Sequence, residues 1–167
     1  MLEAPLSVTA LATDDAEAYN DFFRRGARAH PDTLRISPSD IDAAPFRTVH
    51  PLGGATLVAR DAAGAWLGVV TLERESGREK RRHIAWVLRM YVPAENAGRG
   101  VGRALLRAAI AAARELPGVS KVNLTVAAHN ARAVQLYESE GFSTFSRESD
   151  AFRDSEPRTE LTMALRL

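Results

Sequence analysis

The stretch GRGVG, Gly98 to Gly102, stands directly before the alanine- and leucine-rich run RALLRAAIAAARELPG. Few local sequences narrow a fold as much. Val101, Leu105, Ala108 and Ala112 fall on one helical face, which Leu106, Ile110 and Ala113 widen, so a helix runs from about Gly100 to the LPG stop. Before it lies a β-rich run, His83–Val92, closed by Pro93; after it comes a second, SKVNLTVAA. A strand, a glycine loop, a helix and a strand in this order place the loop at a helix N-terminus. There the first N–H groups are unpaired and the macrodipole is positive, so the loop suits an anion. Glycine at 98, 100 and 102 lets backbone approach a ligand where a Cβ would obstruct it.

The remaining chain fills out an α/β pattern. LSVTAL (Leu6–Leu11) reads as a first strand. A helix follows with Thr13 as N-cap and an apolar stripe of Ala18, Phe22 and Gly26 with Phe23 beside them. SPSDIDAA reads as a short second helix capped by Ser37, with Pro38 at its first position. Two β-rich runs flank the turn Asp61–Gly64, and RESGREKRR (Arg74–Arg82) is a charged turn. NARAVQLYESEG is a helix with Asn130 as N-cap and Gly141 as the residue past its end, before the closing strands FSTFSRES and RTELTMALRL. Because the strands come in a run, without strict βα alternation, the expected architecture is one α/β (mixed α+β) domain over residues 1–167. Its central sheet is mixed and mostly antiparallel, with about seven strands flanked by about four helices.

Composition removes several classes of function. The 22 basic and 21 acidic residues leave a net charge of +1, so charge gives no argument for nucleic acid or an anionic membrane. Cysteine is absent, which excludes disulfides, thiolate zinc sites and a cysteine nucleophile; no metal is expected. The opening MLEAPLSVTALATDD carries Glu3 and no basic region, no apolar run reaches the about 18 residues of a membrane span, and a cytoplasmic protein is expected.

Which anion the loop takes is narrowed by what it lacks. A Walker A loop needs Gly-Lys-Ser/Thr, but Gly102 is followed by Arg103 and Ala104; the dinucleotide fingerprint needs a third glycine where Arg103 stands. The order that remains, AGRGVG (Ala97–Gly102) and then NARAVQLYESEGF (Asn130–Phe142), resembles the GNAT superfamily of acyl-CoA-dependent N-acyltransferases. Its core motif has the form Arg/Gln-x-x-Gly-x-Gly/Ala, here with Ala97 in first place, and its second signature has the form Asn…Leu-Tyr…Gly-Phe. The resemblance is strongest from about Val69 to Phe142.

The resemblance implies acetyl-CoA as cosubstrate and transfer of its acetyl group to a primary amine of a small molecule or peptide. It implies that amides of Gly98, Arg99, Gly100, Val101, Gly102 and Arg103 hold the CoA pyrophosphate, and that Met90, Tyr91 and Val92 lend backbone groups to the pantetheine arm. It also implies a sheet that splays between its fourth and fifth strands, with CoA in the gap. Asn130 is a further candidate CoA contact, the segment around the first two helices a wall of the acceptor cleft, and a homodimer possible. The rival readings are a CoA-binding sensor or partner module without turnover, and another binder of nucleotide phosphates such as an oxidoreductase.

With no cysteine for an acetyl-cysteine intermediate, the direct attack of an amine on the thioester that the resemblance implies is favoured. An alkylamine with pKa near 10.4 is about 0.04% neutral at pH 7, so freeing it costs roughly 4.6 kcal/mol; protonating a departing thiolate of pKa near 8.5 involves only roughly 2 kcal/mol. Tyr137, at the position of the family's general acid, suits the smaller of these two steps. For the larger one Glu73 is the leading acidic candidate, followed by His83 and Glu160, with a water chain as the alternative. Relatives that acetylate protein N-termini carry a glutamate where this chain has Thr125, which separates it from their mechanism.

Overall fold

The computed structural model describes residues 6–32 and 34–167. Residues 1–5, and with them the Glu3 region behind the reading of no signal peptide, lie outside it. The chain runs β1 (Ser7–Ala10), α1 (Ala16–Ala29), α2 (Pro38–Ala43), β2 (Gly54–Arg60), β3 (Trp66–Arg74) and β4 (Ile84–Tyr91). It continues through α3 (Val101–Glu115), β5 (Lys121–Ala127), α4 (Ala131–Ser139), β6 (Ser143–Arg153) and β7 (Pro157–Arg166). All seven strands form one sheet in the order β1-β2-β3-β4-β5-β7-β6. Every pairing is antiparallel except β4 with β5, which is parallel.

That parallel pairing is short. It joins Ile84 to Lys121, Ala85 to Val122 and Trp86 to Asn123, and then stops. From there β4 runs on to Tyr91 and β5 to Ala127 without pairing to each other, so the sheet forks. Each arm is held from outside, β4 by β3 and β5 by β7. The fork therefore opens without detaching either strand.

The central strands are apolar on both faces, as strands covered on both sides must be. Val70 and Leu72 of β3 join one core with Leu105, Leu106, Ala109 and Ile110 of α3 and Tyr137 of α4. Val69, one position away, joins a second core with Tyr19, Phe22 and Phe23 of α1 and Ile41 of α2. The helices are thus sorted, α3 and α4 on one face and α1 and α2 on the other. Contact between α1 and β4 is close: a Cβ on Gly26 would lie 2.5 Å from the Tyr91 ring, so only glycine fits.

Local signals behaved as their chemistry requires. Ser37 accepts from the Asp40 amide with Pro38 opening α2, Asn130 accepts from the Ala133 amide, and Gly141 follows α4 at φ +95°. Asp61 accepts from the amides of Ala63 and Ala65, which makes the expected hairpin turn. Four details differ. The α1 stripe centres on Tyr19, Phe22, Phe23 and Gly26 and leaves Ala18 exposed. A 3-10 turn over Thr13–Asp15 precedes α1, tied by the Asp15 carboxylate to the Ala12 amide, so Thr13 is not its cap. On α3 it is Ala109 and Ala113 that are buried, with Ala108 and Ala112 at the margin. The last hairpin is also longer than its apolar pattern suggests, because β6 continues through bulges to Arg153. Among the described residues no helix is long and apolar enough to cross a membrane.

Candidate active site

At the mouth of the fork, Pro93 ends the strand and a 3-10 turn over Ala94–Asn96 leads into the glycine loop. Gly98 and Gly100 have φ of +79° and +76°, a region costly for any residue with a Cβ. Gly102 serves close packing instead, since a Cβ there would meet Leu136 of α4 and Met90 of β4, each at 3.4 Å. The loop therefore brings α3 against both other walls of the fork.

Backbone N–H groups of six consecutive residues, Gly98 to Arg103, meet no protein acceptor among the described residues; the first helical bond is donated by Ala104 to the Gly100 carbonyl. These donors sit at the positive end of α3, with Gly98, Arg99, Gly100 and Arg103 exposed. The arginine side chains do other work. Arg99 donates to Asn96 Oδ1 at 2.9 Å, while Asn96 in turn holds the Leu67 carbonyl at 3.2 Å. Arg103 pairs with Glu140, which Arg107 also engages at 2.9 Å, and these bonds hold the Glu140 carboxyl below the usual range. Both arginines brace the loop, leaving the main chain to face a ligand. Arg132 of α4, which the motif did not single out, reaches within 3.7 Å of the position a Gly98 Cβ would take.

Inside the fork, Tyr137 is buried against Phe142, and among the described residues its hydroxyl meets only Met90 Sδ, at 3.7 Å. Burial pushes its pKa up to about 12, against the opposing pull of the Arg35 cation, so at neutral pH it is a phenol able to donate. Met90 lies in a bulge: Val69 pairs with Tyr91 and Thr71 with Leu88, so β4 spends an extra residue between them. Arg89, at φ +50°, makes the turn. The bulge frees backbone of β4 beside Tyr137 where a regular ladder would have consumed it. Met90, Tyr91 and Val92 lie beyond the last pairing of β4 with β5 and lead toward the loop, with the Tyr91 ring packed under α1. Asn130 uses its side-chain oxygen to cap α4 at 3.2 Å.

The opposite face of the fork is built from paired charges. Glu73 Oε1 lies 2.9 Å from His50 Nδ1 and 2.7 Å from Arg89 Nη2. These partners, His50 foremost, bring the Glu73 pKa down to about 2 despite partial burial. From His50 Nε2 the contacts continue through Thr56 Oγ1 (2.9 Å) and Thr71 Oγ1 (3.1 Å) to the Tyr19 hydroxyl (2.9 Å), a buried polar chain under α1. The Arg89 guanidinium lies 4.7 Å from the centre of the Phe46 ring. Across the fork, Arg35 from the α1–α2 connection donates to Thr125 Oγ1 at 3.0 Å and its carbonyl at 3.3 Å, and pairs with Glu160.

Of the acid–base candidates, then, Tyr137 stands in the fork, Glu73 and Glu160 are engaged by cations, and His83 is exposed at the start of β4, at the closed end of the pairing. His50, Arg89 and Arg35 were not singled out from the sequence. None lies in a motif, and only the sheet and the α1–α2 connection bring them to Glu73 and Glu160. Among the described residues no group of three or more histidine or acidic side chains is placed to hold a metal.

Comparison with known proteins agrees with this fold. The family described as acetyltransferase (GNAT) matches residues 16–142, more than half of the chain. A mycothiol acetyltransferase of Clavibacter michiganensis is 33% identical over 145 residues, 84% of this chain and 44% of that protein. One from Propionibacterium freudenreichii is 42% identical over 92 residues, 54% of this chain and 28% of that protein. The chain thus spans less than half the length of these curated relatives. Among solved structures, a GCN5-related N-acetyltransferase from Kribbella flavida is 29% identical with a TM-score of 0.78, covering 97% of this chain and 98% of its own. The Salmonella typhimurium protein yncA, solved with its cofactor acetyl-CoA, shares the fold at 18% identity and a TM-score of 0.78 over 98% of this chain and 95% of its own. The chain belongs to the acetyltransferase (GNAT) family.

Proposed function

We propose that this chain transfers an acetyl group from acetyl-CoA to a primary amine of a small molecule or peptide, by direct attack of the amine on the thioester. The observation that carries the reading is the row of six unbonded main-chain donors, Gly98 to Arg103, at the mouth of a fork that contains the Tyr137 hydroxyl. The donors fit a pyrophosphate, and Met90, Tyr91 and Val92, beyond the last pairing of β4 with β5, offer backbone for a pantetheine arm, with Asn130 at the start of α4. The amine nitrogen forms a bond to the carbonyl carbon while the carbon–sulfur bond breaks. Tyr137 gives its proton to the departing thiolate, and the proton lost by the amine leaves through water.

Glu73 takes a revised place in this scheme. A carboxylate with a pKa of about 2 is too weak a base to draw a proton from an ammonium near 10. We assign it to fixing Arg89 in the β4 bulge and holding His50 beside it. The acceptor of the curated relatives is not carried over, since the chain matches only 44% and 28% of their lengths.

Titration with CoA and with NAD, followed by thiol release from acetyl-CoA across a set of amines, tests the proposal. CoA binding with thiol release is expected. CoA binding without turnover on any amine supports a sensor or partner module instead, and NAD binding without CoA binding reverses the assignment.

A further inference from the structure

Two side-chain atoms among the described residues are buried without a hydrogen-bond partner, Asn123 Oδ1 and Arg89 Nε. Both belong to the fork, one on each arm. Asn123 sits opposite Trp86 in the last pair before β4 and β5 part, and it is 2% exposed. Its neighbours Val122, Leu124 and Val126 face the α3 core, so by strand alternation Asn123 points to the other face, as does Thr125. Thr125 is already engaged by Arg35. Arg89 lies on that same face, with Nη2 bound to Glu73 and its guanidinium over Phe46, while Nε has no acceptor. Its partner Glu73 pairs with Trp86, which pairs with Asn123, so the guanidinium is held in the same row of the sheet, about two strand spacings or 10 Å from Asn123.

A buried amide oxygen and a buried guanidinium N–H are both costly to leave unmet, and native structures rarely do so without a functional reason. At Asn123 an apolar side chain branched at the same carbon, such as the larger leucine, would leave no oxygen without a donor. An acceptor facing one arm and a donor facing the other describe the complement of a ligand with the opposite pair.

Resting on the acetyltransferase reading above, we infer that these two atoms clamp the acceptor. Asn123 Oδ1 accepts an N–H from the amine and limits its rotation, so that the lone pair faces the thioester carbonyl. Arg89 Nε donates to an oxygen carried beside that amine. The acceptor class is therefore an amine with a neighbouring oxygen, such as an amino alcohol, an amino sugar or an amino-acid amide, in preference to a plain alkylamine. Asn123 takes no proton; it positions, and deprotonation remains with water.

Matched amines test this by thiol release from acetyl-CoA: ethanolamine against propylamine, glucosamine against cyclohexylamine, and L-alaninamide against 2-aminobutane. At least one oxygen-bearing member should exceed its partner about tenfold in kcat/KM, the scale of one hydrogen bond. Asn123→Leu should raise the KM for that amine about tenfold with acetyl-CoA affinity unchanged. Arg89→Lys keeps a cation for Glu73 but loses Nε, and should bring the preference within that pair close to one. Equal rates across all pairs, or acetyl-CoA binding with no turnover of any of the six, overturn the clamp. So do wild-type kinetics in Asn123→Leu, or a loss of acetyl-CoA affinity together with activity, which marks a structural amide. Failure of the wild-type protein to bind acetyl-CoA overturns instead the assignment on which the clamp rests.

Discussion

The two sides of the fork present different kinds of group. On the loop side, six main-chain N–H groups stand without acceptors, and the nearby charged side chains of Arg99 and Arg103 are spent on bracing. On the α1–α2 side the reverse holds. Main chain is committed to the ladder or the helices, and side chains converge from distant segments: His50, Glu73 and Arg89 in one group, Arg35, Thr125 and Glu160 in another. Main-chain donors need only the right φ and no Cβ, so a few glycines specify them. Side-chain groups need a fold to bring them together. This suits a shared cofactor on one side and an individual acceptor on the other.

The largest expected effect breaks the main-chain side. Gly100 has φ +76° with nothing within 4 Å of where a Cβ would be, so Gly100→Trp has room but the wrong backbone. Acetyl-CoA affinity should fall about 100-fold, from roughly 1–2 kcal/mol of left-handed strain together with shielded amides. Calorimetry should show the loss while circular dichroism keeps its folded signal; unchanged affinity would remove the loop from the site.

Next comes the centre of the fork. Tyr137→Phe should lower kcat by about thirtyfold, the equivalent of the roughly 2 kcal/mol of thiolate protonation, with acetyl-CoA affinity unchanged. The hydroxyl has only a weak contact to Met90, so Tm should move little. Wild-type turnover in single-turnover kinetics would reduce Tyr137 to a packing residue.

On the side-chain wall, Glu73 makes the effect dependent on pH. Its pKa falls from the ordinary value near 4.5 to about 2 on folding, so its contribution is full above about 4.5 and is lost as pH drops toward 2. The shift nominally corresponds to about 3 kcal/mol, which screening at a side chain 35% exposed reduces to about 1–2. Urea unfolding should therefore find Glu73→Gln less stable at pH 7, with the gap closing toward pH 2; a gap that persists at pH 2 would mean that something other than this charge is lost.

The smallest effect sharpens the contrast. Arg103→Ala removes an exposed pair with Glu140 but no main-chain donor, so acetyl-CoA affinity should change less than about threefold. A loss as large as that of Gly100→Trp would mean that the side chain, not the backbone, holds the ligand.

Much of the loop side was legible in the sequence. Gly98 and Gly100 announce left-handed backbone, the α3 stripe announces a helix behind them, and Asn130 and Gly141 mark both ends of α4, all through local chemistry acting within a few residues. Glu73 was legible as an acid on a strand but not as a neutralised one. His50 is 23 positions before it and Arg89 is 16 after it, and no spacing rule joins them. Asn123 was hidden for a related reason. Within SKVNLTVAA it reads as the polar member of an alternating strand, a position normally facing water, and only the tertiary structure buries it.

By itself the sequence determined the order of strands and helices, the caps at Ser37 and Asn130, the glycine loop and the tyrosine that follows it in the second signature. Each depends on propensity, backbone conformation or periodicity, which are set by neighbours along the chain. The tertiary structure decided where the β4–β5 pairing ends, which carboxylates meet cations, and which polar atoms are left buried at the fork. Those depend on the distance and solvent access between segments far apart in the chain, which exist only once the sheet has formed.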